Sequence, residues 1–443
     1  MLTTEVNQVN HKPLLLVFPF GLLSHYLRCL VLCRTLRHHF EIRFLFTSAL
    51  DSFVKREGFG TFECKALDPD KAIAGVKNFD FSWLKRDDLE EIYEAQVRVI
   101  HDLNPDFVLG DFSPTLKMAA GAMNVTYISL MNGYMSKYYA STRKISADHP
   151  AHNLVRYLPS GLEARLTRFG EAQAFRQLHK PFREIRIASR LSECASYLDE
   201  LEGDVNLVCD LPEVFPQKKL PSHYHIVGPL YFDSGNGKPE FDSSLEESNV
   251  ERGAYDGFSD GLGDATKKTI VVTMGSSGNW QQVKFLLRDA YRAYNIIAVG
   301  DAKKILSDPA IIHLPFVGMH DIFPHTDLII CHGGNGTMYQ AMYYGIPVLV
   351  STNHCEQEWN LAAFQACGSA AGLIGLNYKQ KLALVERVLS MKQNKLLTGL
   401  SMLVRNWEGD LPAILDSLSR SIIRTQATRG KQQHSLSRQP QLL

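Results

Sequence analysis

Short apolar runs alternate with helical patterns through the first half of the chain, the signature of a parallel α/β sheet. Residues 14–20 read as a fully buried strand. Leu23, Tyr26, Leu27, Leu30 and Val31 then recur at helical spacing, with Arg28, Arg34 and Arg37 mostly off that stripe. Further strands are expected at 41–47, 107–110, 125–130, 206–209 and 225–227. The stretch 135–200 is polar and helical without a clear place. At 233–268 the character changes to a Gly-, Ser-, Asp- and Glu-rich segment with almost no apolar periodicity, read as a flexible linker or loop. The rhythm restarts with strands at 269–274, 296–299, 328–331 and 348–351. A last helix is expected at 411–423, and the polar residues 425–443 are expected to be disordered. The pattern predicts two doubly wound α/β domains facing each other across a cleft. Their bounds are 1–232 and 269–424, with the last helix able to pack back on the first domain.

Composition narrows the class. The 443 residues are enough for two or three domains, and 45% hydrophobic against 21% charged residues is ordinary globular usage. Lys+Arg and Asp+Glu both total 47, so the basic excess of a nucleic-acid binder is missing and no nucleic-acid partner is expected. The 8 cysteines include no CxxC pair, which points away from a disulfide framework or zinc site and toward reduced thiols in the cytoplasm. PLLLVFPFGLLSHYLRCLVLC at 13–33 has the look of a signal peptide or membrane span. Pro19, Ser24, His25 and Arg28 break the run and no small-x-small cleavage site follows, so strand plus helix is the expectation. No integral membrane segment is expected elsewhere.

In open α/β sheets ligands bind beyond the carboxyl ends of the strands, so the residues after each strand carry the candidates. The apolar run 328–331 enters His332-Gly333-Gly334-Asn335-Gly336-Thr337, followed by a helix that Thr337 is expected to cap. Glycines let backbone N–H groups approach an anion, the helix N-terminus adds partial positive charge, and His332 can donate to a phosphate oxygen. An ordinary tight turn fits the glycines alone. The third glycine of a dinucleotide fingerprint is missing, as is a GK[ST] P-loop. Gly275-Ser276-Ser277 after the strand at 269–274 is a weaker phosphate-closing loop. Glu356-Gln357, after the strand at 348–351, offers acceptors and donors suited to sugar hydroxyls, although a solvated loop would look alike. In the first domain, His25 and Asp111 both fall on the carboxyl edge of the sheet. A carboxylate against an imidazole fixes its tautomer and makes a general base.

These motifs together resemble the GT-B glycosyltransferases, specifically the nucleotide-sugar transferases of glycosyltransferase family 1 that include macrolide and flavonoid glycosyltransferases. PFVGMHDIFPHTDLIICHGGNGTMYQAMYYGIPVLVSTNHCEQEWN looks like that family's donor-binding signature. The resemblance implies a nucleotide-diphosphate sugar as co-substrate, most simply a UDP-sugar, and no other cofactor. It places His332 on the diphosphate, Glu356-Gln357 on the sugar, Val317 at the base-binding loop, and His25 with Asp111 as general base and partner. It further implies inversion at the anomeric carbon without a metal. Gln340 stands where the family commonly has a carboxylate on the ribose, and Gly318-Met319 replaces a frequent Pro-Gln, which leaves the base open. The expected acceptor is a small apolar molecule with a hydroxyl, its pocket including 132–139. The competing readings are a lipid-linked or polysaccharide acceptor, marked by a basic-apolar face on the first domain such as 180–190, a non-catalytic partner protein of the same fold, and a nucleotide-sugar epimerase.

Overall fold

A computed structural model describes residues 12–78, 81–143, 157–232, 263–275, 277–314, 317–390 and 395–436. Ser276, most of the expected linker and the end of the expected tail lie outside these residues.

The first sheet has seven parallel strands in the order β3-β2-β1-β4-β5-β6-β7. They are β1 (Leu14–Pro19), β2 (Glu41–Leu45), β3 (Gly60–Phe62), β4 (Phe107–Asp111), β5 (Thr126–Met131), β6 (Val205–Val208) and β7 (Tyr224–Ile226). Central strands β1 and β4 are buried nearly throughout because helices cover both faces. One face packs α1 (Leu23–Leu36) through Tyr26, Cys29, Leu30 and Cys33, which recur at three- and four-residue spacing. The other face packs α4 (Arg86–Leu103) and α5 (Leu116–Met123). The shorter helices α2 (Asp51–Arg56) and α3 (Pro69–Asn78) follow β2 and β3. The unplaced stretch 135–200 contains α6 (Ser160–Ala188) and α7 (Tyr197–Leu201). α6 leans on the domain through Phe182 and Ile185, and its buried Arg186 and His179 hold the fully buried Glu200.

The second sheet has six parallel strands in the order β10-β9-β8-β11-β12-β13. They are β8 (Thr269–Thr273), β9 (Asn295–Val299), β10 (Ile311–Leu314), β11 (Leu328–Cys331), β12 (Val348–Val350) and β13 (Ala370–Gly372). Helices α8 (Met319–Ile322), α9 (Asn335–Tyr343), α10 (Cys355–Ala366) and α11 (Tyr378–Leu389) flank it. Between β8 and β9 the chain runs in 3-10 turns at Trp280–Leu287 and Asp289–Ala293.

The last helix, α12 (Lys395–Leu436), is much longer than the expected 411–423. Val404 sits in the second domain's core, whereas Leu411 and Leu415 sit with Leu30 and Cys33 in the first. The stretch expected to be disordered from 425 is therefore helical as far as Leu436. Gln426 explains part of this: it accepts from Thr126 Oγ1 at 2.8 Å and donates to the Asp106 carbonyl at 2.8 Å, tying the polar end to the first sheet. All eight cysteines are free.

Candidate functional site

A cavity of about 1010 Å³ lies between the carboxyl edges of the two sheets and is lined by both domains. Its first-domain wall is built by the ends of β1 and β4. Asp111 ends β4, is fully buried, and accepts from His25 Nδ1 at 3.0 Å. The structure adds a residue that sequence reasoning missed. Arg28 binds the same carboxylate through Nε at 2.5 Å and through Nη2, and its Nη1 donates to Asn132 Oδ1 at 2.6 Å. The signal was present in the spacing, because His25 and Arg28 are three apart on α1 and so share a face. Burial alone would raise the Asp111 carboxyl, but Arg28 and His25 outweigh it and hold it at about 2. The carboxylate is thus ionised; His25 Nδ1 lies 3.0 Å from both Asp111 Oδ1 and Arg28 Nη2, and donation to the carboxylate requires the imidazole proton on Nδ1. That leaves Nε2 as an acceptor. Phe20 and Phe112 flank the imidazole at 5.4 and 6.2 Å between ring centroids. Phe112 holds φ 53, a left-handed conformation uncommon for a bulky residue, directly after the buried carboxylate.

Beyond His25 the wall becomes apolar. Leu67, Phe81, Trp83, Phe175, Leu178 and Tyr197 line it, and the buried Trp83 Nε1 has no partner among the described residues. Of the expected acceptor loop, Asn132, Tyr134 and Met135 face the cavity. Tyr138 and Tyr139 instead pack on Tyr224 and Phe215.

The second-domain wall is formed by the loops after β8, β11 and β12. Helix α9 starts at Asn335 with Gly334 before it and no side-chain cap, so Thr337 is its third residue and not its cap. The first-turn N–H groups have no partner inside the helix, and Gly334, Asn335, Gly336 and Thr337 all border the cavity. Gly333 has φ 90, and a Cβ there would meet Val350 Cγ1 at 2.8 Å, so both conformation and space demand glycine. Buried Asn360 donates to the Gly333 carbonyl at 2.8 Å and braces the loop. At Gly334 a Cβ would lie 2.6 Å from His332 Nε2, so glycine here leaves room for the imidazole. His332 is 9% exposed, and burial followed by the neighbouring His354 pushes its pKa down to about 4, so it is neutral near pH 7. Gly275 and Ser277 also border the cavity, and Ser277 Oγ accepts from Gln357 Nε2 at 3.1 Å.

Other expected donor residues reach the cavity while already engaged. Gln340 Nε2 donates to the Phe232 carbonyl at 3.0 Å. Glu356 accepts from the Tyr134 hydroxyl at 2.5 Å, across the domain boundary. Asn335 donates through Nδ2 to Asp210 Oδ1 at 2.8 Å, again across that boundary. Asp210 follows β6, is 1% exposed, and also accepts from Gly133 N at 2.6 Å. Burial raises its carboxyl above the usual range, partly offset by these bonds. It was missed, although it stands after β6 as Asp111 stands at the end of β4. Val317 is buried at the cavity beside Gly318 and Met319. No group of three or more metal-ligating side chains occurs among the described residues.

The chain matches the glycosyltransferase family 28 C-terminal domain over residues 258–399. A "PGL/p-HBAD biosynthesis rhamnosyltransferase" of Mycobacterium bovis is 23% identical over 288 residues, covering 63% of this chain and 59% of that protein. A "PGL/p-HBAD biosynthesis glycosyltransferase" of Mycobacterium tuberculosis is 25% identical over 309 residues, covering 68% and 67%. The crystal structure of the kitacinnamycin glycotransferase superposes with a TM-score of 0.63 at 14% identity, covering 94% of this chain and 99% of that one. The chain therefore has the GT-B fold, and the resemblance to macrolide-type glycosyltransferases read from the sequence is borne out.

Proposed function

We propose that this chain transfers a sugar from a nucleotide-diphosphate sugar to a hydroxyl of an acceptor with an apolar body, inverting the anomeric centre without a metal. The observation that carries the reading is one cavity with a paired imidazole and carboxylate on one wall and an uncapped helix N-terminus on the other. In this reading the donor diphosphate lies against the first turn of α9, His332, Gly275 and Ser277. Backbone N–H groups and the helix dipole stabilise the charge growing on the leaving nucleotide. Gln340 offers the ribose its carbonyl oxygen, and Glu356 with Gln357 meets the sugar. His25 Nε2 takes the acceptor proton as that oxygen attacks the anomeric carbon, and Asp111 and Arg28 hold the ring in place. General-base help of this kind contributes about 10²–10⁴-fold. The rhamnosyltransferase among the relatives puts a nucleotide-diphosphate rhamnose beside the UDP-sugars as donor.

A thermal-shift screen of UDP-, dTDP- and GDP-sugars tests the donor half, because a ligand that binds the folded chain stabilises it by mass action. A shift with at least one of them is expected, followed by turnover or slow hydrolysis of that donor. If none raises the melting temperature, the reading fails. Binding without any turnover would favour the non-catalytic alternative.

A further inference from the structure

We propose that the outward face of α6 docks the chain on an anionic phospholipid surface. α6 is 29 residues long, and its two faces differ. Inward, Phe182 and Ile185 enter the core, while Phe175 and Leu178 line the cavity. Outward, Leu162, Leu166 and Phe169 are 47%, 45% and 65% exposed, at the spacing that stacks side chains on one helix face. The same face continues with exposed Arg176, Lys180 and Arg183. The chain as a whole is neutral, so this basic stretch is a local concentration and not a general excess.

The form of the patch selects the occupant. Its apolar side chains stand exposed on one face of a helix. Protruding Leu and Phe can sink between lipid head groups while neighbouring guanidinium and ammonium groups meet lipid phosphates, the arrangement of helices that lie in a membrane interface. No described helix is long and apolar enough to cross a membrane, so α6 lies on the surface and does not span it. The segment 180–190, read from sequence as a candidate basic-apolar face, contributes only in part. Phe182, Ile185 and Arg186 turn inward, and the apolar half of the patch comes from the first turns of the helix.

Because the opposite face of α6 is a wall of the apolar lobe, a docked chain holds that lobe about one helix diameter, ~10 Å, from the lipid. Resting on the proposed transfer reaction, this makes the acceptor an amphiphile taken from the bilayer, with its hydroxyl reaching His25.

Cosedimentation with vesicles of phosphatidylcholine, with or without phosphatidylglycerol, tests the docking itself. Full-length chain is expected to bind the phosphatidylglycerol vesicles, weakly bind the neutral ones, and dissociate as salt is raised. Arg176→Glu with Lys180→Glu and Arg183→Glu should lower partitioning about a hundredfold or more. Leu166→Ser with Phe169→Ser should also lower it, with unchanged melting temperature because these side chains are exposed. Absence of wild-type binding to anionic vesicles at low salt, or equal binding by both variants, would overturn the proposal. So would self-association that depends on Leu166 and Phe169 without vesicle binding, which would make the face a protein interface. The assay contains no sugar donor, so its failure and a failure of the transfer reaction are separate results.

Discussion

At the scale of single residues, Arg28 changes what substitutions at the dyad mean. Asp111 answers to two partners, so Asp111→Asn strands the half-buried Arg28 as well as weakening the hold on His25. Arg28→Met leaves the fully buried carboxylate without its main countercharge, which costs about 3–5 kcal/mol. Urea unfolding should show a loss of that size, and an unchanged midpoint would mean that the ion pair is not formed. Glycines divide in the same way. Gly334 makes room for the His332 ring, so enlarging it disturbs the protein before any ligand arrives. At Gly336 a Cβ would meet nothing within 4 Å, although the residue borders the cavity in the first turn of α9. Gly336→Ala should therefore leave the folding free energy unchanged or raise it by up to about 1 kcal/mol, while weakening nucleotide-sugar binding. Calorimetry showing full affinity would remove the α9 N-terminus from the donor site. His332 supplies a pH test. Its folded value of about 4 lies below the ordinary histidine value, so its contribution to stability is present above that ordinary value and is lost as pH falls toward 4. A diphosphate beside it favours the protonated ring. Binding at about pH 5.5 should then take up protons, seen as a dependence of calorimetric heat on buffer ionisation enthalpy that His332→Asn removes.

At the scale of elements, what the sequence revealed follows burial. The central strands were legible because both faces are covered and their residues run apolar without interruption. β3, β10 and β13 were missed, and each has partly exposed positions that break such a run. α6 resisted placement because it carries apolar residues on two opposite faces, one in the core and one outward, which blurs a single helical stripe. The candidate site was legible wherever chemistry follows a strand end, as at Asp111 and His332. Arg28 was not read because it looks like one more cation off the apolar stripe of α1, and Asp210 because its partner Asn335 comes from the other domain. α12 was underestimated because its end is held by polar bonds, which leave no apolar period to read. Its anchoring is testable. Gln426→Ala removes both bonds to the first sheet, and a loss of about 1–2 kcal/mol is expected from two net hydrogen bonds. Hydrogen exchange should then rise selectively in the last turns of α12, and an unaltered pattern would show that Gln426 does not hold them.

At the scale of the whole molecule, two domains with equivalent sheets set their strand ends toward one cavity, and several connections cross between them. Asp210 meets Asn335, Tyr134 meets Glu356, and α12 contributes to both cores. The domains thereby hold an acceptor-side imidazole and a donor-side helix terminus against one volume, which is the central claim. Measurement of donor affinity and single-turnover rate in parallel for His25→Ala and His332→Ala tests it most directly. The account predicts that His25→Ala slows transfer by about 10²–10⁴-fold with nucleotide-sugar affinity nearly unchanged, whereas His332→Ala weakens affinity as well as rate. Transfer by His25→Ala at the wild-type rate, or donor binding by His332→Ala with undiminished affinity, would contradict it.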